Sequence, residues 1–145
     1  MKLTKNIKRI AQDVLLNEAR AIENLISFID DSFEACVREI YSAKGRLVVT
    51  GIGKSAIIAN KIVATLNSTG TPSLFMHAAD AIHGDLGMIT SHDVIILLSN
   101  SGENSELSDM IAYAKRFAIP LIAITSNGES TLGKHADIPL LLPKS

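Results

Sequence analysis

Five short apolar runs, all downstream of residue 46, constrain the fold more than any other feature of the chain. They are Leu47-Val48-Val49, Ser73-Leu74-Phe75-Met76, Val94 to Leu98, Leu121 to Ile124 and Ile138 to Leu142. Each has the length of a strand and is too short for a helix. Between them lie stretches of helical length, notably Ser55 to Asn67 and Ser105 to Phe117. Strands that alternate with helices are joined by right-handed crossovers, which lay them parallel and cover both faces of the sheet. The prediction is a doubly wound α/β domain with a parallel sheet. No internal repeat, low-complexity stretch or linker divides it.

Ahead of that domain, Ile7, Ile10, Ala11, Val14, Leu15, Ala19, Ile22, Leu25, Ile26 and Ile29 recur at helical spacing. The pattern resumes at Phe33, Cys36, Val37, Ile40 and Tyr41 after an interruption at Asp30-Asp31-Ser32. Asp31 with Glu34 is placed to cap a second helix, and Gly45 suits the position just past its end. Two N-terminal helices over 1–45 are therefore expected to pack on a domain over 46–145. Cys36 lies on the apolar stripe, which reads as a buried, inert thiol. As the one cysteine of the chain it leaves no internal disulfide and no multi-cysteine metal site.

Composition acts mainly by exclusion. Among the 145 residues, 47% are hydrophobic, enough for a sizeable core, and the net charge of −1 gives no basic surface for nucleic acid. With no Trp and 4% aromatic residues, stacking platforms for bases are not expected. The N-terminus has no continuous apolar stretch of the secretory kind. No segment approaches the ~20 apolar residues that cross a bilayer. The expectation is a soluble cytoplasmic protein whose partners include neither nucleic acid nor membrane.

Ligands of doubly wound sheets bind outside the carboxyl ends of the strands, near a topological switch point. Two polar, glycine-containing loops follow strands here: Thr50-Gly51-Ile52-Gly53-Lys54-Ser55 and Ser99-Asn100-Ser101-Gly102-Glu103-Asn104. The first is not a Walker A loop, whose spacing would put glycine where Val48 stands. Gly51, Gly53 and Ala56 do fit a dinucleotide fingerprint, but that reading wants an acid at the end of the second strand, where Met76 and His77 are found. The second loop says more. Ser99 and Ser101 offer hydroxyls, Gly102 lets the backbone come close, and Asn104-Ser105 opens a helix whose free N–H groups and dipole favour an anion. A phosphate monoester fits that chemistry. Ser and Asn also cap helices, yet they fill four of the six positions from 99 to 104, where one cap would serve.

Taken together, the GIGKS loop, LNSTGTPS, HAADAIHGDLGMIT and SNSGENSE resemble the sugar-isomerase (SIS) domain family, most closely the arabinose-5-phosphate isomerases of Kdo and lipopolysaccharide synthesis. The resemblance implies a five-stranded sheet of flavodoxin-like order. It also implies a homotetramer or other homo-oligomer. The implied reaction interconverts D-ribulose 5-phosphate and D-arabinose 5-phosphate through an enediol, with no required cofactor. Asn104 departs from the family's usual Ser or Thr, and Ala78-Ala79-Asp80 from its common Pro-x-Glu. The chain stops just after the fifth strand, whereas relatives continue with a segment carrying a catalytic Glu and His, and many add CBS domains. The 145-residue chain is accordingly expected to bind the sugar phosphate and to turn it over poorly. The alternative is a SIS domain that binds without catalysis, as a regulatory module or a truncated enzyme. The N-terminal segment lacks the length and basic recognition helix of a DNA-binding domain.

Carried over residue by residue, the family pattern implies that Ser55, Ser99, Asn100 and Ser101 hold the sugar phosphate. Gly70, Thr71, His77 and His83 would contact substrate, and His77 would also bind an inhibitory zinc. Isomerisation needs a base and a group that stabilises charge on oxygen. The resemblance implies Lys54 and Glu106 for these tasks. Glu103 and Glu106 share one helical face, and an acid in a first turn also stabilises the helix start; the two roles are compatible. His92 and His135 are assigned none.

Overall fold

The computed structural model describes residues 6–144. The alternation becomes an all-parallel sheet of strands β1 (Leu47–Gly51), β2 (Ser73–His77), β3 (Val94–Leu98), β4 (Leu121–Thr125) and β5 (Ile138–Leu141), in the order β2-β1-β3-β4-β5. This is the flavodoxin-like order. Helices α1 (Ile7–Asn24) and α2 (Asp31–Ser42) precede the sheet, and α3 (Lys54–Ser68), α4 (Ala78–Ile82), α5 (Glu106–Arg116) and α6 (Thr131–His135) join the strands. Among the described residues no helix is long and apolar enough to cross a membrane.

Every residue of β1 and β3 is buried, which is why these strands read as continuous apolar runs rather than alternating ones. Successive side chains serve opposite cores. Val48, Ile95 and Leu97 pack with Leu107, Met110 and Ile111 of α5 on one face. Leu47, Val49, Val94 and Ile96 pack with Ala59 and Val63 of α3 and Cys36 of α2 on the other. Crossovers of one hand that run in opposite directions from β1 and β3 put α3 and α5 on opposite faces, so a crevice opens outside the carboxyl ends of those two strands.

The N-terminal segment differs from expectation in three respects. First, α2 is capped by Asp30, not Asp31: Asp30 has extended backbone, and its Oδ1 accepts from Phe33 N at 3.1 Å. Asp31 and Glu34 fall in the first turn instead, where their charge suits the helix dipole. Second, α2 ends at Ser42 with Ala43 as its cap, so Gly45 does not close it. Gly45 is required by proximity, because a Cβ there would overlap Asp93 Oδ1 and the His92 carbonyl. Third, α1 does not pack on the domain. None of its residues is buried, and Leu15 and Ile22 are 66% and 69% exposed. The reason is that α2 and α3 already fill one face of the sheet and α4, α5 and α6 the other. Cys36 is buried as expected, and desolvation raises its thiol pKa, which keeps it inert.

Candidate functional site

Register sets the site. Gly51 pairs with both His77 and Leu98, and Leu98 with Ile124, so the loops after β1, β2, β3 and β4 leave one edge of the sheet nearly level. After β1, Gly53 turns the chain with φ 58° directly into α3. Lys54 is the first residue of that helix; it is exposed and, among the described residues, joins no ion pair. Ser55 beside it is half-buried. A lysine at a helix N-terminus works against the macrodipole, so cation and dipole together concentrate positive potential there.

After β3 the two serines part company. Ser99 is 5% exposed, and its Oγ accepts from the buried Gly102 N at 3.0 Å. That hydroxyl shapes the loop from within. Ser101 is exposed, and its Oγ accepts from Glu103 N at 3.4 Å while donating to Asn104 Oδ1 at 3.4 Å. Asn100 is exposed, and its carbonyl accepts from Ser126 N, Thr125 Oγ1 and Ser126 Oγ at 3.1, 3.1 and 2.8 Å. Gly102, at φ +71°, packs so closely on α6 that a Cβ would overlap the Ser130 side chain.

Helix capping separates the elements at this edge. His77 caps α4 by accepting from Ala79 N through Nδ1 at 3.2 Å, and Ser130 caps α6 by accepting from Gly133 N at 3.0 Å. The longer helices α3 and α5 begin at Gly53 and Ser105 with no side-chain cap at all. The polar residues of 99–104 therefore do not serve as caps for α5. Glu106 opens α5 half-buried and accepts from Ser105 Oγ at 3.1 Å. Glu103 is bound more fully: its two oxygens accept from Thr131 N and Thr131 Oγ1, each at 2.8 Å. The Thr131 hydroxyl first, then the Thr131 N–H and the charge of Lys134, hold its carboxyl below the ordinary value.

The remaining anticipated residues are spread out. His77 ends β2 at the loop edge, half-buried, and His83 stands exposed at the end of α4. Gly70 and Thr71 precede β2 and so lie at the opposite edge, a strand length of roughly 17 Å away. One chain does not bring them to the crevice. The sequence reading passed over Thr125 to Thr131, which supplies the partners of Asn100 and Glu103. The signal was present, since Thr125-Ser126-Asn127-Gly128 follows an apolar run in the manner of the loop after β3.

With that geometry in place, comparison with known proteins is decisive. The family model described as the SIS domain matches residues 39–145. The chain belongs to the SIS domain family. This SIS chain is 45% identical over 141 residues to the uncharacterized Rickettsia prowazekii protein RP505, covering 97% of the chain and 44% of that protein. It is 44% identical over 142 residues to the Pseudomonas aeruginosa protein named arabinose 5-phosphate isomerase KdsD, again covering 97% and 44%. The SIS chain thus spans less than half the length of these curated relatives. An Escherichia coli CFT073 protein solved in complex with arabinose 5-phosphate superposes with a TM-score of 0.88 at 37% identity, covering 97% of this chain and 77% of that one. As to the zinc expected at His77, among the described residues no group of three His, Cys, Asp or Glu side chains could hold a metal ion. With Nδ1 engaged by Ala79, His77 offers one ring nitrogen. Among the described residues, His77 and its neighbours do not by themselves assemble a three-ligand metal site.

Proposed function

We propose that this SIS domain holds a pentose phosphate in the β1/β3 crevice and forms the sugar-binding part of an isomerase that interconverts D-ribulose 5-phosphate and D-arabinose 5-phosphate, ahead of Kdo synthesis. The observation that carries this reading is the uncapped start of both α3 and α5, flanked by Lys54 and by Ser101. Open N–H groups and dipoles aimed into one crevice favour a dianionic phosphate. The names of the Pseudomonas relative and of the Escherichia coli complex supply the sugar.

In this reading the phosphate rests on the helix starts and the carbonyl end extends along the sheet edge. Glu106 takes the proton from C1 of the ketose while the C2 carbonyl oxygen takes a proton from solvent, giving the enediol. Return of a proton to C2, with loss of the O1 proton, gives the aldose. Lys54 stabilises the negative charge that develops on oxygen. The test follows arabinose 5-phosphate formation from ribulose 5-phosphate. Lys54→Met and Glu106→Gln are each expected to lower turnover by about 10²–10⁴; Glu106→Gln leaves sugar-phosphate affinity nearly unchanged, whereas Lys54→Met also weakens it by removing a cation beside the phosphate. Turnover that survives both substitutions would overturn these roles.

Binding without turnover is the second reading, and it has its own support: Gly70 and Thr71 of the same chain lie at the far edge of the sheet. The same assay separates the two. Self-association belongs to the proposal as well, because the apolar stripe of α1 finds no cover among the described residues.

A further inference from the structure

The loop after β3 carries a carboxylate that the proposed chemistry does not use. Glu103 reaches 28 residues along the chain to Thr131, and both of its oxygens accept there. Beside that contact, Gly102 O accepts from Leu132 N at 3.1 Å, and Gly102 N donates inward to Ser99 Oγ. The loop that leads into α5 is thus fastened to the first turn of α6 on both sides of the Gly102–Glu103 peptide.

We infer that Glu103 is a positioning residue: its paired hydrogen bonds to Thr131 hold the 99–104 loop against α6 and fix the direction in which the open N–H groups at the start of α5 point. The inference rests on the phosphate-binding reading above. Glu103 is a poorer candidate for the base than Glu106, because its paired bonds to Thr131 stabilise the carboxylate and make it a weaker proton acceptor. The same bonds, with Lys134 nearby, keep the carboxyl ionised. Glu106, whose partner is the adjacent Ser105, has an oxygen to spare. A loop that points its N–H groups correctly before the anion arrives loses less freedom on binding, so loosening it costs affinity.

The experiment titrates arabinose 5-phosphate into the wild-type chain, Glu103→Gln, Thr131→Val, Thr131→Ser and the E103Q/T131V double variant by calorimetry, with thermal midpoints measured alongside. Gln keeps the length but one acceptor oxygen, so E103Q is expected to bind about tenfold more weakly. T131V, which keeps the N–H and loses the hydroxyl, is expected to bind several-fold more weakly, while T131S restores wild-type affinity. The double variant binds about as weakly as E103Q, since both changes break one contact. Unchanged affinity in E103Q and T131V, even with lowered midpoints, overturns the positioning role alone. A wild-type chain that binds no arabinose 5-phosphate overturns the phosphate-binding reading and this role with it.

Discussion

Ser99 and Ser101 lie in one motif, yet their hydroxyls face opposite ways, and substitutions there separate loop building from ligand contact. Ser99→Ala leaves the buried Gly102 N–H without its acceptor, which is expected to cost about 1–3 kcal/mol in urea unfolding and to weaken sugar-phosphate binding as a consequence. Ser101→Ala leaves the unfolding midpoint in place and weakens binding directly. Equal stability loss in the two variants would contradict this division. The sequence made both serines legible as anion ligands, but the inward turn of Ser99 depends on closure of the loop onto Gly102. At the far edge of the sheet, Asp93 accepts from Arg46 N at 2.7 Å, Thr90 N at 2.8 Å and the Arg46 guanidinium at 3.4 Å. Burial pushes its carboxyl up, but the Arg46 and Thr90 bonds more than offset this and hold it below the ordinary value. With the folded pKa depressed, Asp93 contributes stability above its unfolded pKa of about 3.9 and loses it as pH falls through the folded value. Asp93→Asn should therefore flatten the decline of stability below about pH 5; an acid limb as steep as wild type in that variant would refute the assignment.

At the scale of elements, what the sequence showed and what it hid have distinct physical causes. The strands were legible because β1 and β3 are buried on both faces and are therefore apolar along nearly all of their length. The start of α2 shifted by one residue because Asp30 and Asp31 are chemically equivalent caps, and backbone conformation alone chooses between them. The fate of α1 was hidden for another reason: helical periodicity shows that a face is apolar, not what covers it. Gly70 and Thr71 were legible as a motif, but only the sheet direction reveals that they leave from the edge opposite the loops. The close fit of the loop after β3 on α6 gives its own prediction. Gly102→Ala forces a side chain into φ +71° and against Ser130, so it is expected to destabilise by on the order of 1–3 kcal/mol and to abolish phosphate binding. Wild-type thermal stability in that variant would show that the loop can retreat from α6.

For the whole molecule, the two cores are closed by helices on both faces, whereas α1 presents Ile10, Val14, Leu15 and Ile22 to solvent. A stripe of that kind predicts self-association, with a second copy supplying the cover. Sedimentation of the wild-type chain at micromolar concentration is expected to show dimers or larger species, and Leu15→Asp with Ile22→Asp to shift them to monomer. A monomeric wild-type chain would contradict it. In the proposed function the crevice between β1 and β3 reads a phosphate through two uncapped helix starts, and calorimetric titration with arabinose 5-phosphate beside unphosphorylated arabinose tests this. Saturable binding of the phosphate ester is expected, weakened by Ser101→Ala and by added salt, with no detectable heat from arabinose; equal binding of the two sugars, or binding of neither, would rule it out.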